Sequence, residues 1–255
     1  MKICVLIKQV PDKNTSLTIA EDKRSLEENN ITWVSNESDN YALEEALLIK
    51  ESHEGEVVVC TLGRESSRQI LKDAMAKGAD RSIFLSDSQF DSLDILSIAK
   101  VFASALKEEN FDLILSGLQS DDQGNSQLGL LLAEMLNMSH ASLVMGTEVN
   151  NDNSIKVKRE LEGGWFQWTT LSLPASISIQ SGINTPRYAT LKGIMMVKNK
   201  TTDQLSAEDL GIENQVPLVS LEKLYMPEKS KETVFINGSP NEIADKLVDV
   251  FKNEI

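Results

Sequence analysis

Cysteine is almost missing from this 255-residue chain: Cys4 and Cys60 are its two thiols. Each sits inside an apolar run, where an isolated cysteine reads as a core residue. They make no disulfide framework and no metal-ligand spacing. Histidine is as scarce, and neither His53 nor His140 has plausible ligand partners near it. No apolar run approaches the roughly 20 residues of a membrane span. The opening Met1–Lys8 is too short and too soon charged again for a signal peptide. A cytoplasmic location in a prokaryote is therefore expected. Positive charge is in deficit: Lys and Arg number 25 against 39 Asp and Glu, a net charge of −14. That speaks against a nucleic-acid face, which needs a basic surface, and against docking on anionic membrane. The plain reading of such a balance is solubility. There is no Gly-rich dinucleotide fingerprint and no Walker loop, and no Ser-Gly-Gly-x-Asp-Ser loop of ATP pyrophosphatases. No convincing acid–base dyad is found either. Asp121 and Asp122 are adjacent residues whose side chains tend to point apart, and they read as solvated loop.

What remains is an ordinary globular composition, 41% hydrophobic and 25% charged. The length suits one α/β domain with appendages, or two small domains. Residues 2–7 are a short apolar run, as a buried parallel strand would be. Gln9 through Thr15 reads as a loop, and Ile31–Val34 as a further strand. Asn36, Ser38 and Asp39 offer caps for a helix carrying Ala42, Leu43, Ala46, Leu47 and Ile49. An alternating pattern follows: strands at 56–62, 82–85, 111–115 and 140–149, and helices at 65–77, 92–106 and 125–136. Strands alternating with helices imply βαβ units and an open, mostly parallel sheet flanked by helices. The pattern then switches to an antiparallel hairpin, Ile155–Glu162 and Trp165–Leu173 around Gly163-Gly164, and a strand at 175–180. Beyond residue 200 the chain is less regular and rich in charge. Ser206-Ala207-Glu208-Asp209 is one local signal there. Ser239-Pro240-Asn241-Glu242 is a capping box with Pro at the first helical position, opening an amphipathic helix with Ile243, Leu247, Val248 and Phe251. The division expected is an α/β domain over 1–199 and a C-terminal arm over 200–255, the arm packing on another subunit or folding back on its own domain.

In open parallel sheets, ligands sit beyond the carboxyl ends of the strands, near a topological switch point. The loop Gly117–Gly124 leads to a helix expected to begin at Asn125-Ser126-Gln127. A helix N-terminus presents unpaired N–H groups and a positive dipole end, which suits phosphate. On residues alone, a well-capped helix with no ligand stands on equal terms with a phosphate site.

Two stretches are more distinctive. Val157-Lys158-Arg159-Glu160-Leu161-Glu162-Gly163-Gly164 is followed by Leu173-Pro174-Ala175, then Asn184-Thr185-Pro186-Arg187-Tyr188-Ala189-Thr190-Leu191. Together they resemble the signature region of the small, or beta, subunit of electron transfer flavoproteins: V-x-R-x-x-E-G-G, L-P-A, then N-x-P-R-Y-A-T-L. Lys8-Gln9-Val10-Pro11-Asp12, Tyr41–Leu47 and Ala76–Arg81 agree with the same family. The resemblance covers residues 1 to about 200.

The resemblance implies an adenine-nucleotide-binding, Rossmann-like fold and a heterodimeric electron carrier without catalytic residues of its own. FAD would be shared but held mainly by an alpha subunit, on which the arm would pack. AMP would bind structurally in this chain, its phosphate at the helix start. Gln119, Asp122, Gln127 and Gly129 match the family's Q-A-I-D-G-D-x-x-Q-x-G loop, while Asp121 and Gly124 depart from it. Asn36 matches the family's N-P segment, with Glu37 in place of Pro. Leu6 and Leu62 align with positions lining the adenine pocket. The nucleotide site implied is thus Leu6, Asn36, Leu62, Gly117, Gln119, Asp122, Asn125, Ser126, Gln127 and Leu128. Tyr188, Leu191, Ile194 and Met195 would meet an electron-donating flavoprotein dehydrogenase, with Leu191 as the anchor. By helical periodicity Ile194 and Val197 read as core. Lys192 and Gly193 stand where the family has Pro-Asn, and such departures are similar to the methylotroph branch that serves trimethylamine dehydrogenase. Two other readings stay open: a bifurcating member with a second FAD in place of AMP, and a stand-alone adenine-nucleotide-binding enzyme of similar fold.

Overall fold

The computed structural model describes residues 1–212, 214–228 and 233–254. Residues 213, 229–232 and 255 of the expected arm lie outside that description. The elements run β1 (Lys2–Leu6), β2 (Gln9–Pro11), β3 (Trp33–Ser35), α1 (Glu37–His53), β4 (Glu56–Leu62), α2 (Arg68–Lys77), β5 (Arg81–Leu85), α3 (Ile95–Leu106) and β6 (Leu113–Gly117). They continue with α4 (Leu128–Met135), β7 (Ser139–Val149), β8 (Ser154–Glu160), β9 (Phe166–Ser172), β10 (Ala175–Ile179), α5 (Leu191–Met196), β11 (Thr202–Leu205), α6 (Ala207–Leu210) and α7 (Pro240–Glu254). The fold is α/β, as the alternating pattern predicts.

Among the described residues the main sheet has nine strands in the order β11-β5-β4-β1-β6-β10-β7-β8-β9. It is parallel from β11 to β7 and antiparallel through β7-β8-β9. From β1 the chain builds outward through β4 and β5, then crosses back to place β6 on the other side of β1. The switch point therefore lies between β1 and β6. Helices cover both faces, so β1 is apolar throughout its interior. Ile3 and Val5 join Ala42, Leu43, Leu47, Ile70 and Leu71 of α1 and α2 on one side. Cys4 and Leu6 join Val101, Phe102, Leu132 and Ala133 of α3 and α4 on the other. Both cysteines are core thiols, and burial raises each well above the usual thiol range.

Several boundaries differ from the expectations. Gln9–Pro11 is strand, paired antiparallel with Trp33–Ser35, where a loop was expected from Gln9. The helix expected from Ser92 begins at Ile95 because Ser92 has φ 64° and Asp94 caps the Ser97 N–H. The helix expected from Asn125 begins at Leu128. Gly124 (φ 61°) and Ser126 (φ 55°) are left-handed, and no helix runs through such residues. Past the expected boundary at 199, β11 extends the sheet beside β5, and α6 starts with a Ser206–Asp209 capping box and a fully buried Ala207.

Candidate functional site

A cleft opens at the switch point, over the carboxyl ends of β1 and β6. Leu6, Leu62, Asn36, Gly117, Gln119, Asn125, Ser126, Gln127 and Leu128 all line it. Its empty volume, open mouth included, is about 780 Å³. Of the expected nucleotide residues, Asp122 alone stands outside, on the wall of a neighbouring cleft.

Two close approaches shape the floor. A Cβ on Gly129 would meet Ser178 Oγ at 2.6 Å and Ser116 Oγ at 3.0 Å. Ser176 Oγ donates to the Gly129 carbonyl at 2.8 Å. The start of α4 is thereby held directly against β6 and β10, and its first residues, Leu128 and Gly129, line the cleft. A Cβ on Gly117 would strike Ser38 and Asp39, so only glycine lets β6 end this close to α1.

Asp39 ties the strand ends together. Its carboxylate accepts the Lys8 N–H at 2.8 Å and the Gly117 N–H at 3.0 Å. Burial nevertheless pushes its pKa up to about 7, against hydrogen bonds from Asn36, Lys8 and Gly117 that favour the charged form.

Asn36 holds the N-cap position of α1 but makes no side-chain cap bond there. It grips the loop opposite instead. Its Nδ2 donates to the Gln119 carbonyl at 2.9 Å, and its Oδ1 accepts the Asp121 N–H at 2.9 Å. Ser38 Oγ donates to the same Gln119 carbonyl at 2.8 Å. Gln119 Oε1 accepts from Ser126 Oγ at 3.1 Å. Asn36 and Gln119 are thus engaged in shaping the cleft. Lys8 is a cleft residue the sequence reading missed. Its Nζ pairs with Asp122 Oδ1 at 2.7 Å and reaches Gln123 Oε1 at 3.2 Å. Burial alone would raise the Asp122 carboxyl, but the hydrogen bond and charge of Lys8 outweigh it and hold it below its usual range.

On the α1 side, the 184–199 segment is anchored at its start and open at its end. Asn184 Nδ2 donates to Glu45 Oε2 at 2.9 Å and the Tyr41 carbonyl at 3.1 Å. Arg187 binds Glu44 and Glu51. Beyond that anchor Tyr188 is 93% exposed, Leu191 82%, Met195 66% and Ile194 56%. Ile194, expected in the core by periodicity, is in solvent, whereas Val197 packs partly buried against the core. The reason is Gly193: a Cβ there would strike the Ala76 carbonyl oxygen. The backbone of α5 lies directly on the end of α2, which turns its larger side chains outward.

Residues 214–226 cross the carboxyl edge of the sheet. The Leu218 and Val219 N–H groups bond Asp94 Oδ2 at 2.7 and 3.2 Å. Hydrogen bonds from Ser97, then from these two groups, hold the Asp94 pKa at about 2. The side chains of Val216, Leu218, Val219, Tyr225 and Met226 remain exposed, as does Phe251 of α7. No helix among the described residues is long and apolar enough to cross a membrane.

The electron transfer flavoprotein domain model matches residues 24–210. The chain is similar to the electron transfer flavoprotein subunit beta of Methylophilus methylotrophus, 34% identical with 98% of this chain and 97% of that protein covered. Its counterpart in Bacillus subtilis (strain 168) is 31% identical, with 100% and 98% covered. The mitochondrial electron transfer flavoprotein subunit beta of Oryza sativa subsp. japonica is 32% identical, again with 100% and 98% covered.

Proposed function

Because this chain belongs to the electron transfer flavoprotein family as a beta subunit, a carrier rather than a catalyst with its own substrate, we propose how its parts divide that work. The chain pairs with an alpha subunit that holds most of a shared FAD, and it binds AMP as a structural ligand. Electrons enter from a flavoprotein dehydrogenase, proposed to be trimethylamine-dehydrogenase-like, and leave to a downstream acceptor. The flavin supplies the redox chemistry. This chain's residues position and recognise.

The observation that carries the reading is the cleft at the switch point. Leu6 and Leu62 give it apolar walls for an adenine ring, and the start of α4 at Leu128, beside Asn125, Ser126 and Gln127, lies in its lining and supplies the free N–H groups that suit a phosphate. Asn36 acts through the loop it holds. Exposed Tyr188, Leu191, Ile194 and Met195 form the donor surface. The apolar side chains of residues 214–254 suit an arm laid on the alpha subunit, with 1–199, extended by β11 and α6, as the main nucleotide-binding unit. The proposed compartment is the cytoplasm.

Denaturing the purified heterodimer and quantifying what it releases tests the assignment. AMP together with a single flavin is expected. Two flavins and no AMP would overturn it in favour of a bifurcating carrier.

A further inference from the structure

The segment that bears Leu191 is strung between two clamps. At its far end Lys200 Nζ donates to the Met75 and Ala79 carbonyls, and Gly193 lies on the Ala76 carbonyl. Its near end is held on α1 by two adjacent carboxylates in different surroundings. Glu44 has a cation, Arg187. Glu45 is 8% exposed and meets only neutral donors among the described residues, Thr147 Oγ1 of β7 and Asn184 Nδ2. A buried carboxylate without a cation is costly, and an apolar side chain would serve the packing of α1 on β7 at least as well. What Glu45 does for Asn184 accounts for it. A carboxylate offers acceptors only. Asn184 Nδ2 donates to Glu45 Oε2 at 2.9 Å and to the Tyr41 carbonyl at 3.1 Å. Its Oδ1 is left buried without a partner among the described residues. Reversing the amide would set that oxygen against two acceptors, so one orientation survives. Beyond it Pro186 has a fixed φ and Arg187 is bound to Glu44 and Glu51, which leaves little slack before Leu191.

We propose that Glu45 and Asn184 are positioning residues for donor recognition: the Glu45 carboxylate locks the Asn184 amide, and the amide sets the direction in which the segment bearing Leu191 leaves α1. The inference rests on the donor-surface reading above. Neither residue meets the donor. Thr147 completes the lock from the sheet side, so the pose of the segment is referred to both α1 and β7.

The test follows reduction of the heterodimer by a flavoprotein dehydrogenase from the same cells, across carrier concentration. Wild type, Glu45→Ala and Asn184→Ala are compared, each also combined with Leu191→Ala. Each single variant is expected to raise the half-saturating concentration about tenfold, the scale of one lost hydrogen bond to a charged group. Maximal rate, AMP and flavin content are expected to hold. In the Leu191→Ala background the same truncation is expected to add little, because the anchor it positions is gone. A general weakening of the fold would add in full there. Full additivity, or unchanged half-saturation in a folded single variant, overturns the positioning role while leaving the donor surface intact. Unchanged half-saturation for Leu191→Ala alone overturns the donor-surface reading and the inference with it. Should a truncation fail to fold, Asn184→Asp, of nearly the same shape, sets an oxygen against Glu45 and the Tyr41 carbonyl and decides by the same criterion.

Discussion

Arg187 and Glu44, 143 residues apart in sequence, form a fork: Arg187 Nε lies 2.9 Å from Glu44 Oε2, and Nη2 lies 2.9 Å from Oε1. The Arg187 N–H adds a third bond to Oε2 at 3.0 Å. Bonds from Glu44, then Glu51, hold the guanidinium protonated above even its usual range. The side chain of Glu44 is only 7% exposed, so its carboxylate depends on this partner. Two stretches that carry the family resemblance, Tyr41–Leu47 and Asn184–Leu191, are thus each other's ligands. Arg187→Ala should leave a buried carboxylate short of partners, at about 1–3 kcal/mol. Denaturant unfolding measures the loss. Hydrogen exchange over residues 184–196 should rise with it, because the segment's anchor is gone. Arg187→Lys should rescue little, since a point charge cannot replace the fork.

Asp39 predicts a pH dependence. Its folded-state pKa is raised to about 7, above the ordinary carboxylate value near 4. The folded form therefore holds a proton that the unfolded chain has released. The stabilisation is complete below about pH 4 and is lost as pH rises through about 7. Thermal melts of wild type and Asp39→Asn between pH 5 and 8 check this. Wild type should lose stability relative to the variant across that window, even though Asn sacrifices one of the two backbone bonds. Parallel curves would place the carboxyl's titration elsewhere.

Gly129→Ala should damage the cleft floor. The added methyl meets Ser178 and Ser116, and overpacking of this kind costs about 1–3 kcal/mol. AMP content of the purified heterodimer should fall more than flavin content, because the start of α4 is displaced while the alpha subunit is untouched.

The order of strands and helices was legible because buried parallel strands are short apolar runs between amphipathic helices. The start of α4 was not. Asn125, Ser126 and Gln127 have the polarity of caps, but the left-handed turn at Ser126 is a backbone choice that its side chain does not announce. Lys8, read as part of a family-like stretch, and Asp39, read as a cap, hid their place in the cleft for a different reason. Their partners lie at Asp122 and Gly117, so their roles emerge only once β1, β6 and α1 converge. β11 is four residues of mixed polarity, Thr202–Leu205; its pairing with β5, not its pattern, makes it a strand. Leu6, Leu62 and Asn125–Leu128, which line the cleft, were named through the family resemblance, and the parallel-sheet rule placed a cleft at the same strand ends.

The arm should be ordered by its partner. Few of its described apolar side chains are buried, and the ordering entropy of so exposed a segment is poorly offset within the chain. Hydrogen exchange should show residues 214–254 unprotected in the isolated chain and protected in the heterodimer. Equal protection in the two states would mean that the arm is ordered by its own chain.

The most direct test of a carrier that recognises its donor through this chain is Leu191→Ala. The side chain is 82% exposed, so the melting temperature, AMP and flavin content should hold. An anchor of this kind contributes on the order of 2 kcal/mol, or roughly 30-fold in affinity at about 1.4 kcal/mol per tenfold. The measurement is reduction of the heterodimer by a flavoprotein dehydrogenase from the same cells, followed across carrier concentration. The account predicts a roughly 30-fold higher half-saturating concentration at unchanged melting temperature. Unchanged half-saturation with a lowered melting temperature would contradict it, and would make Leu191 a packing residue.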